Sequence, residues 1–212
     1  HIHQSVVDGE GRNIFTDDQG EATPAFRHFI GGQQACLADF TPFFAPHVNS
    51  FQRLCHPYAS PNNACWSHDN RAAGLRIPAS GASARRVENR LPGADANPYL
   101  AIAASLAAGL YGLEHELEPS PAIQGEFEVP EELTLPCTMY DALRRLKGSA
   151  LARELFGSEF VEGYVATKSM ELTSFFDEIT ELTGIEFRAE AIPQLLAELG
   201  LNADTIAAAL LD

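Results

Sequence analysis

Polar and apolar residues alternate at the start of the chain, in "HIHQSVVD", and the alternation predicts a strand running into the turn "DGEG". "RNIFTDDQG" reads as another short extended piece closed by a polar turn. The period then becomes helical: Phe26, Phe29, Ile30, Leu37 and Phe40 share a face in "TPAFRHFIGGQQACLADFTPFF", with Thr23 placed to cap and Pro24 in the first turn. The pair Gly31-Gly32 weighs against that helix, because glycine costs backbone entropy in a helix interior. From Ala45 to Tyr99 the pattern breaks into a Pro-, Asn- and Ser-rich stretch with short extended runs, "AAGLRI" and "RRVENRL". "NPYLAIAASLAAGLYGLEHEL" is a long helix of small residues suited to close packing on a sheet or another helix. After the linker "EPSPAIQGEFEVPEELTLP" come three helical stretches with polar caps and glycine stops, "CTMYDALRRLKG", "SALARELFG" and "SEFVEGYVATKSMELTSFFDEIT". "AIPQLLAELGLNADTIAAALLD" reads as two more short helices, and no internal repeat or low-complexity tract appears.

Length and composition allow one sizeable core or two small ones: 212 residues, 45% of them hydrophobic. Fourteen Lys and Arg against 29 Asp and Glu give a net charge of -15, which argues against a general nucleic-acid binder. The basic residues are unevenly placed, however. Arg53, Arg71, Arg76, Arg85, Arg86 and Arg90 all fall in the loop-rich stretch, and loops held by a rigid core are where binding groups concentrate. The cysteines, Cys36, Cys55, Cys65 and Cys137, have neither C-x-x-C spacing nor a secreted framework, so reduced thiols and an intracellular, cytoplasmic setting are expected. The most hydrophobic stretch, "YLAIAASLAAGLYGL", is too short and glycine-interrupted for a membrane span, and no signal peptide is visible.

Two groups of residues could carry chemistry. In a strand His1 and His3 point to one side and Ile2 to the other, so two imidazoles share a face on which metal or phosphate could bind. An isolated His-x-His is equally a frayed terminus or a tag remnant. In "RRVENR", alternation places Arg86, Glu88 and Arg90 on one face and Val87 and Asn89 on the other. For the hexapeptide alone the expectation is a solvated ion-pair ladder. The alternative is that Glu88 binds a divalent ion while guanidinium forks hold phosphate or carboxylate oxygens. Arg71 and Arg76, five apart, would not share a strand face, but flanking a loop or bulge they could grip different groups of one polyanion.

"HIHQS", "VNSFQRL", "DNRAAGLRIP" and "ARRVENRLPGADANPYLAIAASLAAGL" occur in the order and approximate spacing of the carboxyl-terminal half of the glutamine synthetase superfamily. Within it the chain most resembles the gamma-glutamyl-polyamine (putrescine) synthetase branch. The resemblance covers roughly residues 1–180 and implies an α+β fold, an antiparallel sheet with packed helices, with 181–212 as an atypical helical tail. It further implies an ATP-dependent ligase that phosphorylates the side-chain carboxylate of glutamate and passes the acyl group to ammonia or an amine. By position, His1 and Glu88 match ligands of a catalytic Mg2+ or Mn2+, and His3 and Ser5 match residues at the nucleotide. Arg53 matches the arginine on the glutamate α-carboxylate. Arg71 and Arg90 match arginines around the transferred phosphoryl group, and Arg76 and Arg86 match ATP contacts. A ring-type homo-oligomer is implied as well. So is a further set of metal carboxylates, together with a β-grasp domain, ahead of the position of His1, without which this chain alone is expected to be inactive.

The chain departs from the family pattern in two places. Bacterial glutamine synthetases carry a flap glutamate after "NSxxRL"; the matching stretch here is "HPYASPNN", with Ala59 and Ser60 at that place, which favours an amine over ammonia. Beyond "FFDEIT" the tail departs from the family, and a packing or oligomer-contact helix pair is expected there. The alternative to a ligase is a non-catalytic relative that keeps the fold for binding or scaffolding.

Overall fold

The computed structural model describes residues 1–55 and 60–183. Four short strands, β1 (Ile2–Gln4), β2 (Trp66–His68), β3 (Leu75–Ile77) and β4 (Val87–Asn89), form one sheet in the order β1-β4-β3-β2. Six helices accompany it: α1 (Pro24–Phe44), α2 (Ser50–Cys55), α3 (Pro98–Glu114), α4 (Met139–Gly148), α5 (Ala150–Phe156) and α6 (Ser158–Thr183). The α+β class is as expected. Two pairings, β1–β4 and β4–β3, are antiparallel, but β2–β3 is parallel, so the sheet is mixed rather than wholly antiparallel. The chain makes that short return by bracing the turn between these strands. The side chain of Asn63, buried, donates to Ala72 O and accepts from the backbone N–H groups of Cys65 and Gly74, while Asp69 takes a left-handed φ of 50°. Of the expected helical tail, residues 184–212 lie outside the described residues.

Helix α1 forms as the periodicity predicts: Thr23 accepts from Phe26 N, Pro24 opens the first turn, and Phe26, Phe29, Ile30, Leu37 and Phe40 are all buried. Near its far end Pro42 has no N–H for Ala38 O; the Thr41 hydroxyl lies within hydrogen-bond distance of that carbonyl, at 3.1 Å, and of Leu37 O. The glycines that argue against this helix are what lets it pack. A Cβ on Gly32 would stand 2.2 Å from Ala108 O and 2.4 Å from Gly112 N, so α1 and α3 cross backbone to backbone. On α3 the facing stripe is Ala101, Ala104, Ser105, Ala108, Gly109 and Gly112, all buried. Gly32→Ala therefore sets a gain in helix propensity of about 1 kcal/mol against overpacking onto rigid main chain, and the clash wins. The expected result is destabilisation by about 3 kcal/mol or more, read from the denaturation midpoint.

At the C-terminal end of α1, Phe40, Phe43, Phe156, Phe160 and Tyr164 pack ring against ring, and the Tyr164 hydroxyl donates to Pro42 O at 2.7 Å. Thr138 and Ser149 cap α4 and α5, and Gly157, at φ 82°, ends α5, as the polar caps and glycine stops predict. The short α2 is the element missed in the polar stretch; it is six residues long, too short for a periodic signal. Among the described residues no helix is long and apolar enough to cross a membrane.

Candidate functional site

Strand alternation and register assemble the site. His3 lies opposite Glu88 across β1–β4, and Arg76 lies opposite Glu88 across β3–β4, so an imidazole, a carboxylate and a guanidinium stand in a row over three strands. Because β1 and β4 run antiparallel, His1 comes beside Arg90. The result centres on Glu88, whose side chain is only 4% exposed. Its Oε1 is 3.0 Å from His1 Nδ1, accepts from Arg90 at 3.1 Å, and is 4.0 Å from His3 Nε2; its Oε2 accepts from Arg76 at 2.7 Å. The second Arg76 nitrogen donates to Asp69, whose carboxyl the guanidinium holds below the usual range; Arg76 itself is raised, first by Glu88 and then by Asp69.

The solvated ladder expected of "RRVENR" is therefore not what forms. Glu88 is buried, and Arg86 does not pair with it; Arg86 Nε donates to His3 Nδ1 at 3.2 Å, fixing that ring with its other nitrogen toward Glu88. The guanidinium that replaces Arg86 in the cluster is Arg76, from the neighbouring strand. Ser5, exposed, follows β1 on the same side as the two histidines by alternation. Asp69 was invisible from sequence because its pairing with Arg76 depends on the β2–β3 turn.

Arg53 stands in the last turn of α2 and is held at both terminal nitrogens, by Ser60 Oγ at 2.9 Å and Leu91 O at 2.5 Å. Burial lowers its pKa, and Asp95 opposes that shift; Asp95 is itself fixed by the Ser50 hydroxyl at 2.5 Å. Arg71, exposed in the β2–β3 turn, and Arg90 line one open cavity of about 1070 Å³ with Ser60, Asn63, Asn70 and Glu126. Arg71 lies within the β2–β3 turn and Arg76 in β3, so the two share no strand face, as their spacing implies. Ala59 lies outside the described residues, whereas Ser60 is tied to Arg53.

Among the described residues three buried side-chain nitrogens have no acceptor: the Nε atoms of Arg53, Arg76 and Arg90. Buried donors are normally paired, so the unpaired guanidinium N–H groups of Arg76 and Arg90 beside Glu88 fit an anionic ligand that brings its own oxygens. The fit to a divalent ion is partial. The 3.0 Å between His1 Nδ1 and Glu88 Oε1 suits two adjacent ligands on an octahedral ion with bonds of about 2.1 Å, but among the described residues no set of three or more His, Cys, Asp or Glu could hold a metal. The pair supplies part of a coordination shell.

A buried carboxylate beside two imidazoles, ringed by guanidiniums with unspent donors, defines a site for anionic groups on a helix-backed sheet. Residues 1–187 match the glutamine synthetase catalytic domain, and the chain belongs to that family. It is 39% identical to the gamma-glutamylethanolamide synthetase GlnA4 of Streptomyces coelicolor, over 85% of this chain and 39% of that protein. It is 37% identical to the glutamate–isopropylamine ligase of a Pseudomonas species, over 81% of this chain and 39% of that protein. It is also 37% identical to the gamma-glutamylputrescine synthetase PuuA of Escherichia coli, over 88% of this chain and 39% of that protein. The ligand-free structure of GmaS superposes with a TM-score of 0.69 at 31% identity, covering 82% of this chain and 40% of that one. The chain thus spans about two fifths of the length of these relatives.

Proposed function

We propose that the protein carrying this chain is an ATP-dependent ligase that joins glutamate, through its γ-carboxylate, to a primary amine by way of a γ-glutamyl phosphate. The observation that carries the reading is the Glu88 cluster, in which Arg76 and Arg90 each keep an unpaired guanidinium donor, since phosphoryl transfer is governed by positioned cations and little else. Three relatives named for amine products or substrates support the choice of amine. Arg53 takes the α-carboxylate of glutamate. Arg71 and Arg90, which open on the same cavity, steady the oxygens of the phosphoryl group in transfer. Arg76, Arg86, His3 and Ser5 lie toward the nucleotide, and Arg86 orients the His3 ring. His1 and Glu88 would hold Mg2+ or Mn2+, which supplies charge neutralisation when bound. A ring-type homo-oligomer and a cytoplasmic setting belong to the same proposal.

The test is phosphate release by the complete protein with glutamate and Mg-ATP, across a panel of ethanolamine, isopropylamine, putrescine and ammonium. The expected outcome is a higher kcat/KM with at least one amine than with ammonium. Ammonium prevailing would overturn the amine preference and leave the ligase. No release with any of them, from folded and metal-loaded protein, would favour a non-catalytic binding protein.

A further inference from the structure

Behind the site, on the opposite face of the same two strands, lies a polar cluster that the reaction does not use. Gln4 of β1 and Asn89 of β4 point away from His3 and Glu88 toward the helices, as alternation requires. There Ser105 of α3 donates to Gln4 Oε1 at 2.5 Å and accepts from Asn89 Nδ2 at 3.1 Å. Gln33 of α1 donates to Gln4 Oε1 at 3.0 Å, and the side-chain Oδ1 of Asn89 accepts from Leu91 N. Gln33, Ser105 and Asn89 are all fully buried. The close crossing of α1 and α3 through Gly32 and Gly112 is what brings Gln33 and Ser105 to one spot over the sheet.

We infer that this cluster is a register lock: Gln4, Gln33, Ser105 and Asn89 are positioning residues that fix β1 against β4 so that His1 and His3 meet Glu88. Strand β1 needs one. It is three residues long, has a single neighbour among the described strands, and its ladder is three residue pairs. Side chains on a strand repeat every two residues, so a slip of one residue would turn both histidines away from Glu88. That slip would also set Gln4 on the site face, strand the Gln33 amide in the core without its acceptor, and leave the Ser105 hydroxyl only Gln33 Oε1, at 3.4 Å, in place of Gln4. Buried polar groups left unpaired are costly, so the cluster is satisfied in one register only. Apolar residues at these positions would pack equally well in either.

The inference rests on the proposed metal role of His1 and Glu88 for its functional consequence, and the experiment separates the two. Mn2+ affinity of the complete protein is measured by electron paramagnetic resonance for wild type, Gln4→Met, Ser105→Cys and Gln34→Met, with crystal structures of the first three. Gln34 is the control, an amide of the same helix whose hydrogen bonds go to Ala64 O and Ser120. Partners that orient metal ligands are worth about 10- to 100-fold in affinity, so Gln4→Met is expected to lose about that much. Ser105→Cys, which keeps the volume and loses the strong hydrogen bonds, is expected to lose less in the same direction, and Gln34→Met to bind as wild type. Unchanged affinity in Gln4→Met and Ser105→Cys, or an equal loss in Gln34→Met, would overturn the lock. If Gln4→Met does not fold, Ser105→Cys decides. If wild type binds no Mn2+, the metal reading fails, and the lock is judged on the structures: it stands if His3 has left its place opposite Glu88 in the variants, and falls if it has not.

Discussion

Glu88→Ala in the complete protein is expected to abolish turnover, by more than about a hundredfold, and to destabilise the fold by about 3–5 kcal/mol. Both effects come from one side chain because it is buried and holds three cationic or polar neighbours. With its carboxylate gone, Arg90, whose side chain is 11% exposed, loses its ion pair with Glu88, and Arg76, 18% exposed, is left with Asp69 alone. Breaking a buried pair from one side is far worse than never having formed it, since the remaining charge stays desolvated. On the surface-ladder reading of "RRVENR" the same change would cost well under about 1 kcal/mol. Glu88→Gln separates the two effects: it keeps the volume and one acceptor oxygen but loses the charge, so activity falls as in the alanine variant while stability falls less. Denaturant midpoints and turnover measured on both variants decide the matter, and an active Glu88→Ala protein would return the cluster to a passive role.

Arg53→Ala is expected to raise the KM for glutamate by about 10- to 100-fold, with kcat much less affected. The guanidinium is anchored by Ser60 and Leu91, so the geometry is set before any carboxylate arrives. An interaction of that kind binds ground state and transition state alike, and its loss shows in KM. Arg53→Lys should not restore the affinity, because an ammonium cannot reproduce the planar fork or reach the same anchors. Steady-state kinetics with glutamate varied at saturating ATP and amine check this; a wild-type KM in Arg53→Ala would remove Arg53 from the glutamate site.

Much of this was readable along the chain because the informative signals are local. Alternation alone placed His1 with His3 and Glu88 opposite the side of Val87 and Asn89, and the helical spacing of Phe26 to Phe40 found α1. What stayed hidden depends on contacts between distant segments. The exchange of Arg86 for Arg76 beside Glu88 follows from the β3–β4 register, which no hexapeptide encodes. The meaning of Gly31-Gly32 lay in Gly112 and Ala108, some 80 residues away in sequence, where main chain meets main chain. The Gln4 cluster was invisible for the same reason: its four members come from four elements.

In the proposed reaction the γ-carboxylate of glutamate is activated by phosphorylation before the amine attacks. The most direct test supplies the complete protein with Mg-ATP, a primary amine and glutamate labelled with oxygen-18 in the γ-carboxylate, and analyses both products by mass spectrometry. The expected products are a γ-glutamyl amide and inorganic phosphate that has acquired one labelled oxygen per turnover. Amide formed with unlabelled phosphate, or phosphate released with no amide, would contradict it.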